Sequence, residues 1–271
     1  MTGGTGARSL IDDSGIPEHE AVRLLAKASG LHRSEILLDV GIDGAGVAAF
    51  ASYVERRRDG EPLQYIEGDV PFGGATIAVD ERVLIPRPET EEMLYLALAR
   101  VPAPSTVIDL CTGSGNLAVA IALAAPDAEV FATDVSGAAV EVARSNAVAN
   151  GAPISILCGN LFDPLPESIR GSVDLVVANP PYLSDDELSQ VDAEVLREPH
   201  GALSAGPEGD EVLRAIGAEV ASWLAPGGTL VCEVSEFRAH EVPALFAGLD
   251  CHVELDMYGK PRFVIGTRGP E

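Results

Sequence analysis

The sequence predicts an α/β protein in which a Rossmann-like sheet of seven mostly parallel strands follows a small amino-terminal helical domain and a β-hairpin linker. Two observations carry this prediction. After Pro104, short and continuously apolar segments alternate with segments of helical composition, which is typical of a parallel sheet covered on both faces. Before residue 61, apolar residues recur at helical spacing instead. A chain of 271 residues is long enough for two such domains.

The amino-terminal domain is predicted to span residues 1–60 and to contain two main helices. The first covers residues 18–29 and ends at Gly30, because glycine readily adopts the left-handed conformation that closes a helix. The second helix is longer and ends at Gly60. It places four apolar side chains on one face: Val47, Phe50, Ala51 and Val54. A small helical domain therefore fits this part of the chain.

The linker, residues 61–104, is predicted to hold a β-hairpin and a helix. Residues 70–79 favour a hairpin, since β-prone segments lie on either side of a Gly-Gly pair. Pro86 and Pro88 exclude a helix in their immediate vicinity, so the next helix is expected to begin near Thr90. Its apolar stripe consists of Met93, Leu94, Ala97 and Leu98.

The remaining residues, 105–271, are predicted to form the doubly wound sheet domain. Seven segments have the short, apolar character of buried strands: residues 106–110, 129–133, 154–158, 173–178, 229–234, 251–255 and 263–267. Four segments between them have helical composition: residues 117–125, 138–150, 212–224 and 239–249. In such a domain, ligands bind at the carboxyl ends of the strands.

Composition excludes several kinds of site and partner. The chain carries 18 basic and 42 acidic residues, a net charge of −24 that would repel a phosphate backbone, so DNA is not expected as a partner. No segment is long and apolar enough to span a membrane, and residues 1–9 lack the apolar core of a secretory signal. We therefore expect a cytoplasmic protein with no membrane partner. The cysteines and histidines lack metal-ligand spacing, so we predict reduced thiols and no metal.

A glycine-rich loop follows the first strand of the predicted sheet. It consists of five residues: Cys111, Thr112, Gly113, Ser114 and Gly115. The glycines allow a backbone to approach a ligand closely, and Asp134, at the end of the next strand, can accept hydrogen bonds from the vicinal hydroxyls of a ribose. No Lys-Ser or Lys-Thr pair follows the glycines, so a Walker phosphate loop is excluded. The loop fits an adenosyl group or NAD, whereas the carboxylate of Asp134 disfavours NADP.

A further cofactor-binding position follows the third strand, at the same edge of the sheet. Asn160, which precedes Leu161, can face an adenine ring. Its carbonyl oxygen can accept a hydrogen bond from an exocyclic amine, and its amide can donate one to a ring nitrogen. We include both residues in the predicted cofactor site.

The segment Asn179-Pro180-Pro181-Tyr182, at the end of the fourth strand, is the most specific feature of the chain. Its prolines fix the turn and remove two amide donors, which leaves nearby carbonyl oxygens free to accept. The side-chain oxygen of Asn179 and the carbonyl of Pro180 would each accept one N–H of a substrate nitrogen and aim that nitrogen at a methyl group. Tyr182 would pack against the substrate or wall the pocket. These four predicted catalytic residues indicate an S-adenosylmethionine-dependent methyltransferase, with S-adenosylhomocysteine as product. Asn179 is also predicted to belong to the cofactor-binding residues.

Other functions fit parts of this pattern. An exocyclic adenine amine poses the same geometric problem as an amide, so adenine methylation is one alternative, although the acidity of the chain argues against it. An NAD-dependent oxidoreductase would explain Gly113, Gly115 and Asp134, but it assigns no role to residues 179–182. A cofactor-binding module without catalytic activity is a third possibility.

Over nearly its whole length, the chain resembles the bacterial protein-(glutamine-N5) methyltransferases. The resemblance lies in residues 21–38, Glu61-Pro62-Leu63-Gln64-Tyr65-Ile66, residues 83–91, the glycine loop, residues 179–182, Glu198-Pro199, Ala202-Leu203, Gly206, Gly209 and Asp256-x-x-Gly259-x-Pro261-Arg262. It implies a class I methyltransferase domain that binds S-adenosylmethionine and an amino-terminal domain that helps hold a protein substrate. It also implies that Arg87 and Thr90 help close the cofactor pocket.

The chain is most similar to the branch that methylates the Gly-Gly-Gln glutamine of class I peptide chain release factors. The resemblance therefore implies a release factor as the partner, and we expect the enzyme to be a monomer. Cys111 replaces a glycine common in that branch and resembles the branch that acts on a ribosomal large-subunit protein. Asn160 stands where an acidic residue is frequent, and residues 233–238 lack the usual glycine and glutamine. A ribosomal protein or a specialised substrate stays open as the target.

Overall fold

The computed structural model describes residues 5–270, which divide into two compact units. The helical unit runs to Asp69 and also includes Asp192–Arg197, and the sheet unit contains Val70–Val191 together with the residues from Glu198 onward. The predicted boundaries after residues 60 and 104 stay predictions. Residues 1–4 and residue 271 lie outside the described residues. The predictions of a helical domain from residue 1 and of no secretory signal in residues 1–9 therefore fall partly on residues that are not described.

Five α-helices, one small strand pair and the 3₁₀ helix Val195–Arg197 build the described part of the helical unit. The helices are α1 Ala7–Asp13, α2 Glu18–Ser29, α3 Arg33–Ile36, α4 Gly44–Arg58 and α5 Leu63–Glu67. The strands β1 Thr5–Gly6 and β2 Gly41–Ile42 pair antiparallel. Helix α2 has its predicted bounds and ends at Gly30 in the left-handed conformation. Helix α4 follows Asp43, whose side chain accepts a hydrogen bond from the Gly46 amide at 2.7 Å.

The core of the helical unit is formed largely by α2 and α4. Leu24 and Leu25 are fully buried and belong to the same apolar cluster as Phe50 and Val54. The prediction that Ala51 shares the buried face is wrong, because this residue is exposed. The buried residues of α4 recur at four-residue spacing, and Ala51 lies beyond the edge of this narrow stripe.

Arg57, in the last turn of α4, ties Asp192–Arg197 to the rest of the helical unit. Its Nε lies 2.7 Å from Glu20 Oε2, and its Nη1 lies 2.8 Å from Glu194 Oε2. The guanidinium is largely buried, so the two carboxylates compensate a charge that would otherwise be desolvated without a partner. The helical unit therefore combines two stretches of chain, and the ion pair with Glu194 joins residues 137 positions apart.

A hairpin, a seven-stranded sheet and their surrounding helices build the sheet unit. In chain order the strands are β3 Asp69–Phe72, β4 Ala75–Ala78, β5 Thr106–Leu110, β6 Glu129–Asp134, β7 Ile154–Cys158, β8 Val173–Ala178, β9 Leu183–Ser184, β10 Ser204–Gly206, β11 Leu224–Glu233, β12 Leu249–Leu255 and β13 Pro261–Arg268. The helices are α6 Pro88–Arg100, α7 Asn116–Ala124, α8 Gly137–Asn150, α9 Asp185–Leu188, α10 His200–Leu203 and α11 Glu211–Trp223. Strands β3 and β4 form the predicted hairpin. Across residues 5–270, no helix is long and apolar enough to cross a membrane.

The central sheet has the strand order β12-β13-β11-β8-β5-β6-β7. Strand β13 is antiparallel to both of its neighbours, and the other neighbouring strands are parallel. From β5 the chain builds the sheet through β6 and β7 in one direction and then continues with β8 on the other side of β5. The carboxyl ends of β5 and β8 are therefore adjacent where the winding reverses, the usual ligand site in such sheets. The predicted α/β fold with seven mostly parallel strands is confirmed.

Two predictions about helices are wrong. Residues 239–249 contain a 3₁₀ helix, Val242–Leu245, instead of the predicted α-helix, and Pro243 in it lacks the amide donor that an α-helix would use. Pro88 does not exclude a helix but begins α6, because the missing amide of a proline has no intrahelical acceptor at the first helical position. Thr90 consequently lies within the first turn of α6, where it is buried.

Candidate active site

The candidate active site is a cavity of about 380 Å³ at the carboxyl edge of the sheet. Leu110 of β5 pairs with Ala178 of β8, which places the glycine loop beside the turn that follows β8. Seven of the predicted site residues line this cavity: Cys111, Gly113, Asp134, Asn160, Leu161, Asn179 and Pro181. The fold thus brings together residues at or just beyond the carboxyl ends of β5, β6, β7 and β8, which are neighbours in the sheet.

The carboxylate of Asp134 is held in place by two backbone amides. The Gly113 amide donates to its Oδ2 at 2.8 Å, and the Ser136 amide donates to its Oδ1 at 2.8 Å. Burial raises the pKa of Asp134 above its usual value, although both hydrogen bonds oppose this shift. Each carboxylate oxygen keeps a further lone pair, so Asp134 can accept hydrogen bonds from two neighbouring hydroxyls.

Two residues other than glycine adopt left-handed backbone conformations beside the cavity. Cys111 has φ of +57° and Leu161 has φ of +46°, where side chains are uncommon. The residue after Leu161, Phe162, is buried and stacks on Trp223 with ring centroids 5.4 Å apart. This packing anchors the segment that carries Asn160 and Leu161. The conformation of Cys111 explains why a glycine would suit its position.

Asp109, near the end of β5, is a polar residue of the site that is not among those predicted from the sequence. It is fully buried and lines a smaller cavity of about 30 Å³, together with the predicted residues Thr90, Thr112 and Ser114. Its Oδ2 accepts from Thr112 Oγ1 at 2.5 Å and from the Ala118 amide at 3.2 Å. Its Oδ1 has no hydrogen-bond partner among the described residues. An acidic residue inside an otherwise apolar strand is the signal that could have identified it.

Substitution of Asp109 with asparagine is expected to raise the free energy of unfolding at about pH 8 and to reduce its dependence on pH. Burial raises the pKa of Asp109 to about 7, above an unfolded value of about 3.9. Its contribution to stability is therefore fully present below about pH 4 and is lost as pH rises through about 7. Because asparagine does not ionise, the variant avoids the loss of stability that comes from ionising a buried carboxyl group, which is on the order of a few kcal/mol.

Urea unfolding of the ligand-free protein at about pH 5 and about pH 8 measures this effect. Asp127→Asn is the matched control, because it makes the same chemical change at an exposed position that lines neither cavity. An equal difference between wild type and Asp109→Asn at both pH values would contradict the prediction.

Gly115 is not among the residues that line the two cavities. It adopts φ of +78° immediately before α7, and a Cβ at this position would lie 3.0 Å from Ala143 Cβ. The absence of a side chain lets the start of α7 approach α8 closely. In the structure, Gly115 therefore supports the loop through helix packing, and its direct contact with a cofactor stays a prediction.

Arg87 is not among the residues that line the two cavities. Its guanidinium forms an ion pair with the buried carboxylate of Glu198, which accepts a second hydrogen bond from the Ile85 amide at 2.9 Å. Pro86, which lies between Ile85 and Arg87 in the chain, lines the smaller cavity. Leu84, which precedes Ile85, lines both the main and the smaller cavity. Glu198 thus fixes the segment beside the cavities, in line with the pocket-closing role predicted for Arg87, which stays a prediction.

Asn179 begins a chain of hydrogen bonds that ends at a buried carboxylate. Its Nδ2 donates to Thr90 Oγ1 at 2.9 Å, and Thr90 Oγ1 donates to Glu233 Oε2 at 2.7 Å. The hydroxyl of Tyr182 donates to Glu233 Oε1 at 3.3 Å. Glu233 is only 2% exposed, and burial raises its pKa to about 7. Glu233 is not among the site residues predicted from the sequence, although an acidic residue at the end of apolar β11 is a recognisable signal.

The turn after β8 keeps acceptor atoms available. Within residues 5–270, no hydrogen bond engages Asn179 Oδ1 or the carbonyl of Pro180. Pro180 is buried, and Pro181 lines the main cavity. Tyr182 lines a separate groove of about 270 Å³. The four predicted catalytic residues therefore lie at the cavity or directly next to it in the chain.

Comparison with known proteins identifies the fold of the sheet unit and the class of its domain. The crystal structure of a methyltransferase from Pyrococcus furiosus shares the fold, with a TM-score of 0.54 and 19% identity over 72% of this chain and 90% of that chain. The family model "Methyltransferase small domain" matches residues 91–208, and the model "PrmC N-terminal domain" matches residues 5–68. Residues 91–208 therefore belong to a methyltransferase domain.

Full-length relatives identify the family. The release factor glutamine methyltransferase of Deinococcus radiodurans is 39% identical over 275 residues, which cover 97% of this chain and 96% of the relative. That of Mycolicibacterium smegmatis is 38% identical over 260 residues, covering 93% and 91%. The chain belongs to the release factor glutamine methyltransferase family. This membership confirms the predicted resemblance, the enzyme class and the cofactor S-adenosylmethionine, which takes the place of the NAD alternative.

Proposed function

We propose that this protein methylates the side-chain amide nitrogen of a glutamine, and that its substrate is the Gly-Gly-Gln glutamine of a class I peptide chain release factor. The observation that carries the proposal is the hydrogen bonding of the Asn179 side-chain amide. Its Nδ2 is engaged by Thr90, whereas its Oδ1 is free beside the cavity. Family membership and the resemblance of the catalytic turn support glutamine as the acceptor.

The polar groups of the two cavities fit S-adenosylmethionine. The oxygens of Asp134 would accept hydrogen bonds from its ribose hydroxyls, and Asn160 would face its adenine ring. Asp109 Oδ1, buried and without a partner among the described residues, would accept from its ammonium group in the smaller cavity. When bound, the cofactor supplies an electrophilic methyl group on sulfur. The remaining chemistry is the positioning of a weak nucleophile.

An amide nitrogen is a weak nucleophile because its lone pair is delocalised into the carbonyl, which makes the amide planar. Asn179 Oδ1 and the Pro180 carbonyl would accept the two N–H groups and so fix the nitrogen in one orientation. Both acceptors are neutral and stabilise the positive charge that develops on the nitrogen during methyl transfer. Orientation of this type can contribute about 7–11 kcal/mol to lowering a barrier. The nitrogen can lose its proton after the transfer, so no catalytic base is assigned.

Methyl transfer can be tested with radiolabelled S-adenosylmethionine and purified class I release factor. We expect label on the glutamine of the Gly-Gly-Gln motif, located by peptide mass spectrometry, and no label when that glutamine is replaced by alanine. A ribosomal protein and adenine-containing DNA serve as alternative acceptors in parallel reactions. Label on either of these alone, or on no glutamine, would reject the release factor assignment.

Cofactor binding can be measured separately from methyl transfer. S-adenosylhomocysteine is expected to raise the melting temperature of the protein, because a ligand that binds the folded state stabilises it. NAD is the control ligand and should leave the melting temperature unchanged. The monomeric state, the cytoplasmic location and the absence of DNA among the partners stay predictions.

A further inference from the structure

The side-chain amide of Asn179 can serve the proposed substrate in only one of its two orientations. Its oxygen only accepts hydrogen bonds, and its nitrogen only donates them. In the structure, Nδ2 lies 2.9 Å from Thr90 Oγ1, which leaves Oδ1 for the substrate. A hydroxyl can both donate and accept, so Thr90 by itself is compatible with either orientation.

Glu233 removes this ambiguity. Thr90 Oγ1 lies 2.7 Å from Glu233 Oε2, and an ionised carboxylate can only accept. The Thr90 proton is therefore directed to Glu233, and the lone pair that remains faces Asn179. Thr90 and Glu233 are each 2% exposed, so solvent does not compete for these bonds. Asn179 must then direct its NH₂ group toward Thr90.

We propose that Glu233 and Thr90 are positioning residues for methyl transfer: Glu233 takes the Thr90 hydroxyl proton, and Thr90 thereby holds the Asn179 oxygen toward the substrate nitrogen. This inference rests on the proposed function, because it concerns the same nitrogen. In this role neither residue touches the reacting atoms. Tyr182 supports the arrangement by donating to the second oxygen of Glu233.

The charges around Glu233 make its ionisation sensitive to pH. The net pKa of Glu233 is about 7, above its usual value, because burial, the largest effect, raises it. The Thr90 hydroxyl, the Arg262 guanidinium and the Tyr182 hydroxyl lower the pKa, and the Glu89 carboxylate raises it. These groups come from α6, from β13 and from the turn after β8. The carboxylate therefore changes its protonation near neutral pH.

Protonation of Glu233 would reverse the direction of the hydrogen-bond chain. A protonated Glu233 can donate to Thr90 Oγ1, and Thr90 can then donate to Asn179 Oδ1, the atom needed for the substrate. We therefore expect kcat to fall as pH decreases through about 7. Glu233→Gln does not titrate, so this part of the pH profile should disappear in that variant.

The kinetic test compares Thr90→Val with Thr90→Ser. Valine keeps the shape of threonine without the hydroxyl, so kcat should fall by about tenfold, the effect of one lost hydrogen bond in a buried site. Turnover is measured at saturating S-adenosylmethionine, so that a change in cofactor affinity does not enter the comparison of kcat. Serine restores the hydroxyl and should recover most of the lost turnover. If Thr90→Val fails to fold, the pH profile of Glu233→Gln still decides the question.

A double variant distinguishes positioning through Asn179 from an independent effect of Thr90. In an Asn179→Ala background, Thr90→Val should change kcat by less than about twofold, because the group it orients is already absent. A fully multiplicative loss would mean that Thr90 acts on the reaction by another route, and it would overturn the inference.

Nuclear magnetic resonance tests the orientation without any substrate. In protein labelled with ¹⁵N-asparagine, the Asn179 side-chain NH₂ should show a proton protected from exchange in wild type and in Thr90→Ser, but not in Thr90→Val. Signals are assigned by their loss in Asn179→Ala. Equal protection in all three proteins would overturn the inference even if glutamine is methylated. Protection that follows the expected pattern, with no glutamine methylated, would reject the proposed function instead.

Discussion

Replacement of Asn179 by alanine is expected to lower kcat for glutamine methylation by about 10²–10³-fold, as found when one preorganised hydrogen-bonding group is removed from an active site. The substitution removes Oδ1, the side-chain atom that would accept a substrate N–H, and so leaves the nitrogen without one of its two fixed contacts. Affinity for S-adenosylhomocysteine is expected to stay within about threefold of wild type, because Asp134 and Asp109 are unchanged. Turnover is measured with saturating cofactor, and affinity by calorimetry.

Asn150→Ala is the matched control for this experiment. The Asn150 side chain bonds to the backbone of Thr76 in the hairpin and is not among the residues that line the cavities. Its substitution tests whether loss of a structural asparagine alone lowers turnover. If Asn179→Ala weakens cofactor binding as much as it lowers kcat, then Asn179 serves mainly the cofactor, and its assigned role in holding the substrate is wrong.

Replacement of Gly115 by alanine is expected to destabilise the folded protein by about 2–5 kcal/mol. Its φ of +78° costs a residue with a side chain about 1–2 kcal/mol. The new Cβ would also lie 3.0 Å from Ala143 Cβ and 3.2 Å from Ala143 Cα. The backbone of α8 cannot retreat without moving the helix, so overpacking adds about 1–3 kcal/mol. Urea unfolding with S-adenosylhomocysteine absent measures the loss.

Gly113→Ala provides a control in the same loop. Gly113 also has a positive φ, +54°, but a Cβ there meets no atom within 4 Å. Backbone strain alone should therefore cost about 1–2 kcal/mol. Gly113 lines the main cavity, so the new methyl group would enter the space of that cavity. This variant should therefore lose more free energy of cofactor binding than free energy of unfolding. Equal destabilisation by both substitutions would show that the contact with α8 does not determine the role of Gly115.

The sheet and the residues at its edge could be predicted because their signals are local in the sequence. Strands β5, β7 and β8 have their predicted bounds, since a buried parallel strand is a short, continuously apolar segment. Residues that directly follow such strands fall at the same edge of the sheet. Asp134 and Asn179 could therefore be assigned to one region before their distance in space was known.

The supporting contacts could not be predicted because they join distant parts of the chain. Thr90 and Glu233 are 143 residues apart, and their hydrogen bond depends on how α6 packs against the finished sheet. Glu198 and Ile85 are 113 residues apart for the same kind of reason. Composition also predicted one α-helix wrongly, since residues 239–249 have helical composition but contain Pro243 and form a 3₁₀ helix at Val242–Leu245. Burial of a lone carboxylate is a tertiary property that composition does not reveal.

The inclusion of Asp192–Arg197 in the helical unit limits how this protein can be recombined with its relatives. In a chimera that exchanges only residues 5–69, position 57 would come from one parent and position 194 from the other, so the Arg57–Glu194 ion pair would not be kept as a parental pair. Both stretches would have to be exchanged together to keep the parental pairing. During divergence, a substitution at either end of this ion pair is accordingly expected to select a compensating change at the other. Covariation of positions 57 and 194 among homologues would be its evolutionary trace.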